Sequence, residues 1–155
     1  MPGRVWGFVG ARMCSEYGRS IATKLGKLLA DKDVQVISGM ALGIDSASHA
    51  GALQGKGSTF AVLGCGCDVC YPKNARNLYE NIQSSGGGIL SEYPPGTKPM
   101  PYRFPERNRI ISALSDCLVV VEAKKKERFP DHRRCSIGAG QGCLCGAGAV
   151  WRCPE

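Results

Sequence analysis

Short apolar runs alternate along this chain with longer stretches whose apolar residues recur every three or four positions. Residues 5–10 (VWGFVG), 34–37 (VQVI), 60–63 (FAVL), 89–91 (ILS) and 117–121 (CLVVV) are such runs, the pattern of strands buried on both faces. Between them, residues 16–31 place Tyr17, Ile21, Leu25, Leu28 and Leu29 at helical spacing, and residues 45–53, 78–84 and 110–114 are shorter helical stretches. Asp45 stands where an N-cap is expected, its carboxylate offered to the free amides of the next turn. Five of the nine prolines fall within residues 92–105, which predicts an extended loop there. Strands alternating with helices predict an α/β fold in one domain: a parallel sheet with helices on both faces.

Open sheets of this kind bind ligands beyond the carboxyl ends of their strands. Three of those ends carry glycine-rich turns: Gly10-Ala11-Arg12, Ser38-Gly39-Met40-Ala41-Leu42-Gly43-Ile44-Asp45 and Gly64-Cys65-Gly66. One such turn is most simply a tight strand-to-helix connection. Three at one edge predict an anion pocket walled by Ser38, Gly39 and the glycines Gly10, Gly43, Gly64 and Gly66, with Arg12 supplying fixed charge. Lys73 and Asn74 follow the third turn. Arg103, Phe104, Arg107, Asn108 and Arg109 form a second group, in which an aromatic among cations suits an unstacked base and its phosphates. Each has a structural alternative: Phe104 as a loop anchor, Arg107 and Arg109 as helix caps or solvated charge, Asn108 as a turn residue. His49, one helical turn after Asp45, reads as a hydrogen-bonded support for the pocket. With no nucleophile matched to that pair, no catalytic residue is assigned.

Charge sharpens this picture. Twenty basic against thirteen acidic residues give +7, which suits a polyanionic partner. No stretch approaches a membrane span, so a cytoplasmic chain with no membrane partner is expected. The first turn reads G-A-R-M-C-S, without the spacing of a dinucleotide fingerprint, and no phosphate-binding loop with its lysine is present, so no cofactor is expected. Of the nine cysteines, five lie in the body and four in the last stretch. The cluster Cys65, Cys67, Cys70 lacks the doubled C-x2-C spacing of a closed zinc site, and no metal is assigned. An enzyme acting on a nucleotide would have to use Asp45, Asp68 or Glu92, the carboxylates near the pocket.

At these residues the chain resembles the DprA/Smf family of DNA-processing proteins. The run Ser38 to Asp45, followed by Ala47 and His49, is similar to the family's S-G-x-A-x-G-I-D motif with its histidine. The run from Thr59 through Gly64-Cys65-Gly66 and Asp68 to Tyr71-Pro72 resembles T-x-A-V-x-G-x-G-x-D-x-x-Y-P. Ser91-Glu92-Tyr93-Pro94 and Phe104-Pro105-Glu106-Arg107-Asn108-Arg109-Ile110-Ile111-Ser112 complete the series. The resemblance runs from about Val5 to Lys126. It implies a Rossmann-like core and a pocket for single-stranded DNA, in which Arg12 and Lys73 meet phosphates and Phe104 and Asn108 hold nucleotides. It also implies loading of RecA recombinase in natural transformation, and a homodimer in the intact family member. Ala11 stands where the family commonly has serine, and Leu42 where a cation is frequent. Rossmann-like phosphoribohydrolases are the competing reading, but Gly86-Gly87-Gly88 is followed by Ile89 where they carry the run leading to a catalytic glutamate.

After Lys126 the sequence changes character, becoming rich in Gly, Cys and Arg without apolar periodicity. Synonymous codons for residues 128–150, read one base later, can spell DSLITADAALEQGRDVYAVPG, which is similar to the family's continuation. The expectation is a core over residues 1–126 and an aberrant, disordered tail over 127–155, produced by a one-base displacement near Glu127. A genuine disordered or zinc-binding tail is the alternative. On the first reading the sheet is incomplete at its C-terminal end, and both RecA contact and self-association are in doubt.

Overall fold

The computed structural model describes residues 3–122 and the backbone of the strand Gly142–Cys145. The elements run β1 (Val5–Gly10), α1 (Glu16–Ala30), β2 (Gln35–Ser38), α2 (Ile44–Ala52), β3 (Thr59–Val62), a 3-10 turn (Lys73–Ala75), α3 (Arg76–Ser84), β4 (Gly88–Leu90), α4 (Arg103–Leu114), β5 (Cys117–Val121) and β6 (Gly142–Cys145). The strands form one six-stranded sheet in the order β4-β3-β2-β1-β5-β6, and every neighbouring pair is parallel. The chain thus winds outward from β1 to β4, then crosses back to place β5 on the other side of β1. That reversal is the topological switch point at which such sheets open a crevice.

Alternation along the strands supplies both faces, because successive side chains point to opposite sides. Phe8, Val36, Val119 and Val121 pack with Ala22 and Leu29 of α1 and with Ile44 and Ala47 of α2. Val9, Ile37, Val62, Leu118 and Val120 face the other way and pack against Ile111 of α4. Beside them, Met40, Ala61, Leu63 and Cys65 gather around Tyr79 and Ile82 of α3. Helices α1 and α2 cross closely: a Cβ at Gly26 would lie 2.3 Å from the Ser48 carbonyl oxygen, and one at Gly51 would lie 2.0 Å from that of Thr23.

Three expectations are corrected. The N-cap of α2 is Gly43, at φ 85, and Asp45 sits inside the first turn. A Cβ on Gly43 would lie 2.2 Å from the Ala11 carbonyl oxygen, so a side chain is excluded by space as well as by φ. Helix α4 begins at Arg103, inside the proline-rich stretch, because Pro105 occupies the first turn, where no backbone donor is needed. Finally, β6 pairs with β5 from Cys117↔Gly142 to Val120↔Cys145, where no strand is expected. Ladder bonds use only backbone groups, so the open edge of β5 accepts a strand with little demand on its sequence. The rest of the stretch after Glu122 lies outside the described residues.

A buried polar knot ties the carboxyl ends of β2 and β3 to α2 and α4. Arg107 is 3% exposed, and its Nη1 donates to the carbonyls of Gly39 (2.7 Å) and Val62. Asp45 lies beside it and accepts from the Gly39 amide at 3.1 Å. Burial raises the Asp45 pKa to about 6, against the opposing pull of Arg107 and of the backbone amides of Ala41 and Gly39. His49 has no exposed surface, and burial together with the Arg107 charge lowers its pKa to about 3. Its Nδ1 lies 2.7 Å from the Thr59 hydroxyl, whose single proton goes to the Val36 carbonyl at 2.8 Å. The hydroxyl can therefore only accept from His49, which fixes the neutral ring as the Nδ1–H tautomer.

These environments set opposite pH trends. Asp45 has a folded pKa above its ordinary 3.8, so its contribution to stability is complete below 3.8 and is lost as pH rises through about 6. His49 has a folded pKa below its ordinary 6.5, so its contribution is complete above 6.5 and is lost as pH falls toward about 3. Relative to the wild type, Asp45→Asn is expected to lose stability more steeply on acidification from pH 6.5 to 4, and His49→Gln to gain it. Urea midpoints across that window check both, and parallel profiles for all three proteins would refute the assignment. Arg107→Met, which leaves Asp45 and two carbonyls buried without their partner, is expected to cost about 3–5 kcal/mol in the same unfolding measurement at pH 7.

Candidate nucleic-acid interface

The polar residues singled out from the sequence meet at the carboxyl edge of the sheet, in two tiers. The lower tier is buried. Ser38 gives its hydroxyl proton to the Phe8 carbonyl at 2.7 Å, while Gly39, Asp45, His49 and Arg107 belong to the knot beneath the turns. Arg107 is placed in this lower tier, 3% exposed, with its Nη1 directed at backbone carbonyls. Gly39 is held bare by the same contact, since a Cβ there would meet the guanidinium at 2.4 Å.

The upper tier faces solvent. Arg12 is exposed on the turn after β1, Lys73 and Asn74 are exposed in the 3-10 turn, and Phe104 and Asn108 are half-buried on α4. Phe104, Arg107 and Asn108 share one side of α4 through their three- and four-residue spacing. The ring of Phe104 stacks on Tyr71, with centroids 5.4 Å apart and planes 25° from parallel. The Arg12 guanidinium lies 5.2 Å from the Phe104 centroid. A cation and two aromatic rings thus share one rim, and Lys73 is exposed two residues beyond Tyr71.

The remaining glycines shape the wall. A Cβ at Gly10 would lie 2.2 Å from the Val121 carbonyl oxygen, and one at Gly64 would lie 3.1 Å from the Phe104 ring. At Gly66 the neighbours would be Asp68 Oδ1 at 2.6 Å and the Pro94 carbonyl oxygen at 2.8 Å. Two residues outside the predicted DNA-contact set have a role in the structure. Tyr71 is the stacking partner of Phe104, and Asp68 accepts from the Gly96 amide at 2.8 and 3.0 Å, tethering the proline-rich loop to the wall. A tyrosine beside a cis Tyr71–Pro72 bond and an aspartate in a turn carry no sequence signal for either task.

The three carboxylates near the pocket each have a partner. Asp45 lies in the knot, Asp68 holds the loop, and Glu92 pairs with Arg109. Among the described residues no group of three His, Cys, Asp or Glu could hold a metal ion. Among them too, no helix is long and apolar enough to cross a membrane.

The model of the family described as DNA recombination-mediator protein A matches residues 2–127. The DNA processing protein DprA of Streptococcus pneumoniae is 43% identical over 118 residues, which cover 76% of this chain and 41% of that protein. Protein Smf of Synechocystis is 43% identical over 120 residues, 77% of this chain and 30% of its own length. The chain therefore spans well under half of these relatives. The solved S. pneumoniae DprA structure superposes with a TM-score of 0.84 at 36% identity, covering 96% of this chain and 52% of that one. DNA processing protein A of Helicobacter pylori, a structure described for its single-stranded DNA binding mode, matches with a TM-score of 0.80 at 26% identity, covering 96% and 67%. The sheet, its motifs and these matches agree: the chain belongs to the DNA recombination-mediator protein A family, the DprA/Smf group of DNA-processing proteins.

Proposed function

We propose that the rim formed by Arg12, Tyr71, Lys73, Asn74, Phe104 and Asn108 binds single-stranded DNA without chemical turnover. The observation that carries this reading is the stacked Tyr71–Phe104 pair with the Arg12 guanidinium on the Phe104 ring. Duplex bases are stacked inside the helix and cannot use such a surface, whereas an unpaired base presents a face to it. Arg12 and Lys73 then meet the phosphates on either side. Ser38, Gly39, Asp45, His49 and Arg107 act one layer below, by fixing the turns. The engaged carboxylates support a binding role over hydrolysis of a nucleotide, and the single-stranded DNA binding mode of the H. pylori relative supports the choice of strand. Family membership extends the proposal to delivery of RecA recombinase onto the bound strand during natural transformation, in the cytoplasm. Binding of RecA to the chain–DNA complex tests that step, and sedimentation tests self-association. The change of character after Lys126 is assigned to a displaced reading frame, which resequencing of that coding segment decides.

Binding of a fluorescent single-stranded oligonucleotide is expected to weaken steeply with salt. Arg12→Ala combined with Lys73→Ala is expected to lower the slope of log affinity against log salt by about 1.4, two phosphate contacts at about 0.7 each on a single strand. An unchanged slope, or equal affinity for duplex of the same length, would overturn the proposal.

A further inference from the structure

A second cation–aromatic cluster lies at the start of α4, one residue from Phe104, and the DNA rim does not account for it. The guanidinium of Arg103 is 4.8 Å from the Tyr93 ring centroid and 5.5 Å from that of Tyr102. It is also tied down, because its Nη1 donates to the Lys98 carbonyl at 2.6 Å. Tyr93 is fixed through its hydroxyl, which donates to Glu106 at 3.0 Å. Tyr102 is 54% exposed, and its neighbour on the same loop, Met100, is 43% exposed.

The loop that presents this ring is held from several directions. The Gly66 amide donates to the Thr97 carbonyl at 2.9 Å, the Thr97 amide to that of Pro94 at 3.2 Å, and Asp68 grips Gly96. Pro94, Pro95, Pro99 and Pro101 restrict the backbone between those anchors. A large aromatic side chain left in water on a braced loop loses little conformational freedom when a ligand covers it. Its cationic partner beneath suits a ligand that is flat and carries negative charge. Tyr102 at the N-cap of α4 and Phe104 in the first turn are two residues apart, so they lie on different sides of the helix start.

From this juxtaposition we propose that Tyr102, backed by Arg103, is a second stacking station for an unpaired base. The strand on the Phe104 rim continues around the amino end of α4 and lays a further base on the Tyr102 ring. The proposal rests on the single-strand reading of the rim and adds to it a path and a number of stations. Lys98, exposed on the same loop, lies along that path, while Arg109 is occupied by Glu92.

The test compares the wild type, Tyr102→Ala and Tyr102→Trp, titrated with fluorescent oligothymidylate at several salt concentrations. Tyr102→Ala is expected to weaken binding about tenfold, within the range for loss of one base–aromatic stack. Its salt slope is expected to match the wild type, because no phosphate contact is removed, and Tyr102→Trp should restore or exceed wild-type affinity. The Arg12→Ala, Lys73→Ala variant changes the slope instead, so the two regions separate in one data set. If the wild type binds and Tyr102→Ala binds equally well, the second station is refuted while the rim stands. Weakened binding that Tyr102→Trp does not rescue would reduce Tyr102 to a loop brace and refute the station as well. Absence of binding by a wild type that melts cooperatively would remove the rim and the station together.

Discussion

Arg107 carries more of this architecture than any other side chain described. A parallel sheet leaves its strand ends as separate turns, and nothing within the sheet fixes their mutual positions beyond the last ladder bond. The guanidinium solves this by reaching from α4 to the carbonyls of Gly39 and Val62, so that the ends of two neighbouring strands share one rigid, planar donor. Burying that charge is costly, and the nearby Asp45 charge offsets part of the cost while accepting from the Gly39 amide. The turn after β2 is thus gripped at its amide and its carbonyl at once.

Rim and knot divide the work between them. Groups that are buried and hydrogen-bonded hold geometry, and groups nearer the surface hold charge and ring surface. Phe104 and Arg107 illustrate the division, because they stand three residues apart on α4, yet one lies at the surface and the other lies 3% exposed beneath it. The same helix therefore positions the aromatic surface and locks the turns against which a strand would lie. Motion of α4 would disturb both together.

Much of this was legible in the sequence. Strands of continuous apolar residues, such as 117–121, announce burial on both faces, and the glycine turns after β1, β2 and β3 announce the edge where the site lies. What could not be read has physical causes. Arg107 stands among Arg103, Arg109 and Lys98, where a cation reads as surface charge, and only the three-dimensional path shows that it points inward. Asp45 looks like a cap because acidic residues favour helix starts, but Gly43 takes the cap through a backbone conformation closed to side chains. Pro105 hides the first turn of α4, since proline breaks helices everywhere except there. Pairing of β6 depends on backbone groups alone and leaves little trace in residue type.

The bonds that close the pocket also span the chain. Arg107 is separated by 68 residues from Gly39 and by 45 from Val62, and Arg12 by more than that from Phe104. Contacts between such distant segments form late, because the intervening chain must first lose its freedom. During synthesis, then, the turns after β1, β2 and β3 leave the ribosome well before the helix that joins them. A growing chain therefore carries these turns before the helix that joins them is available.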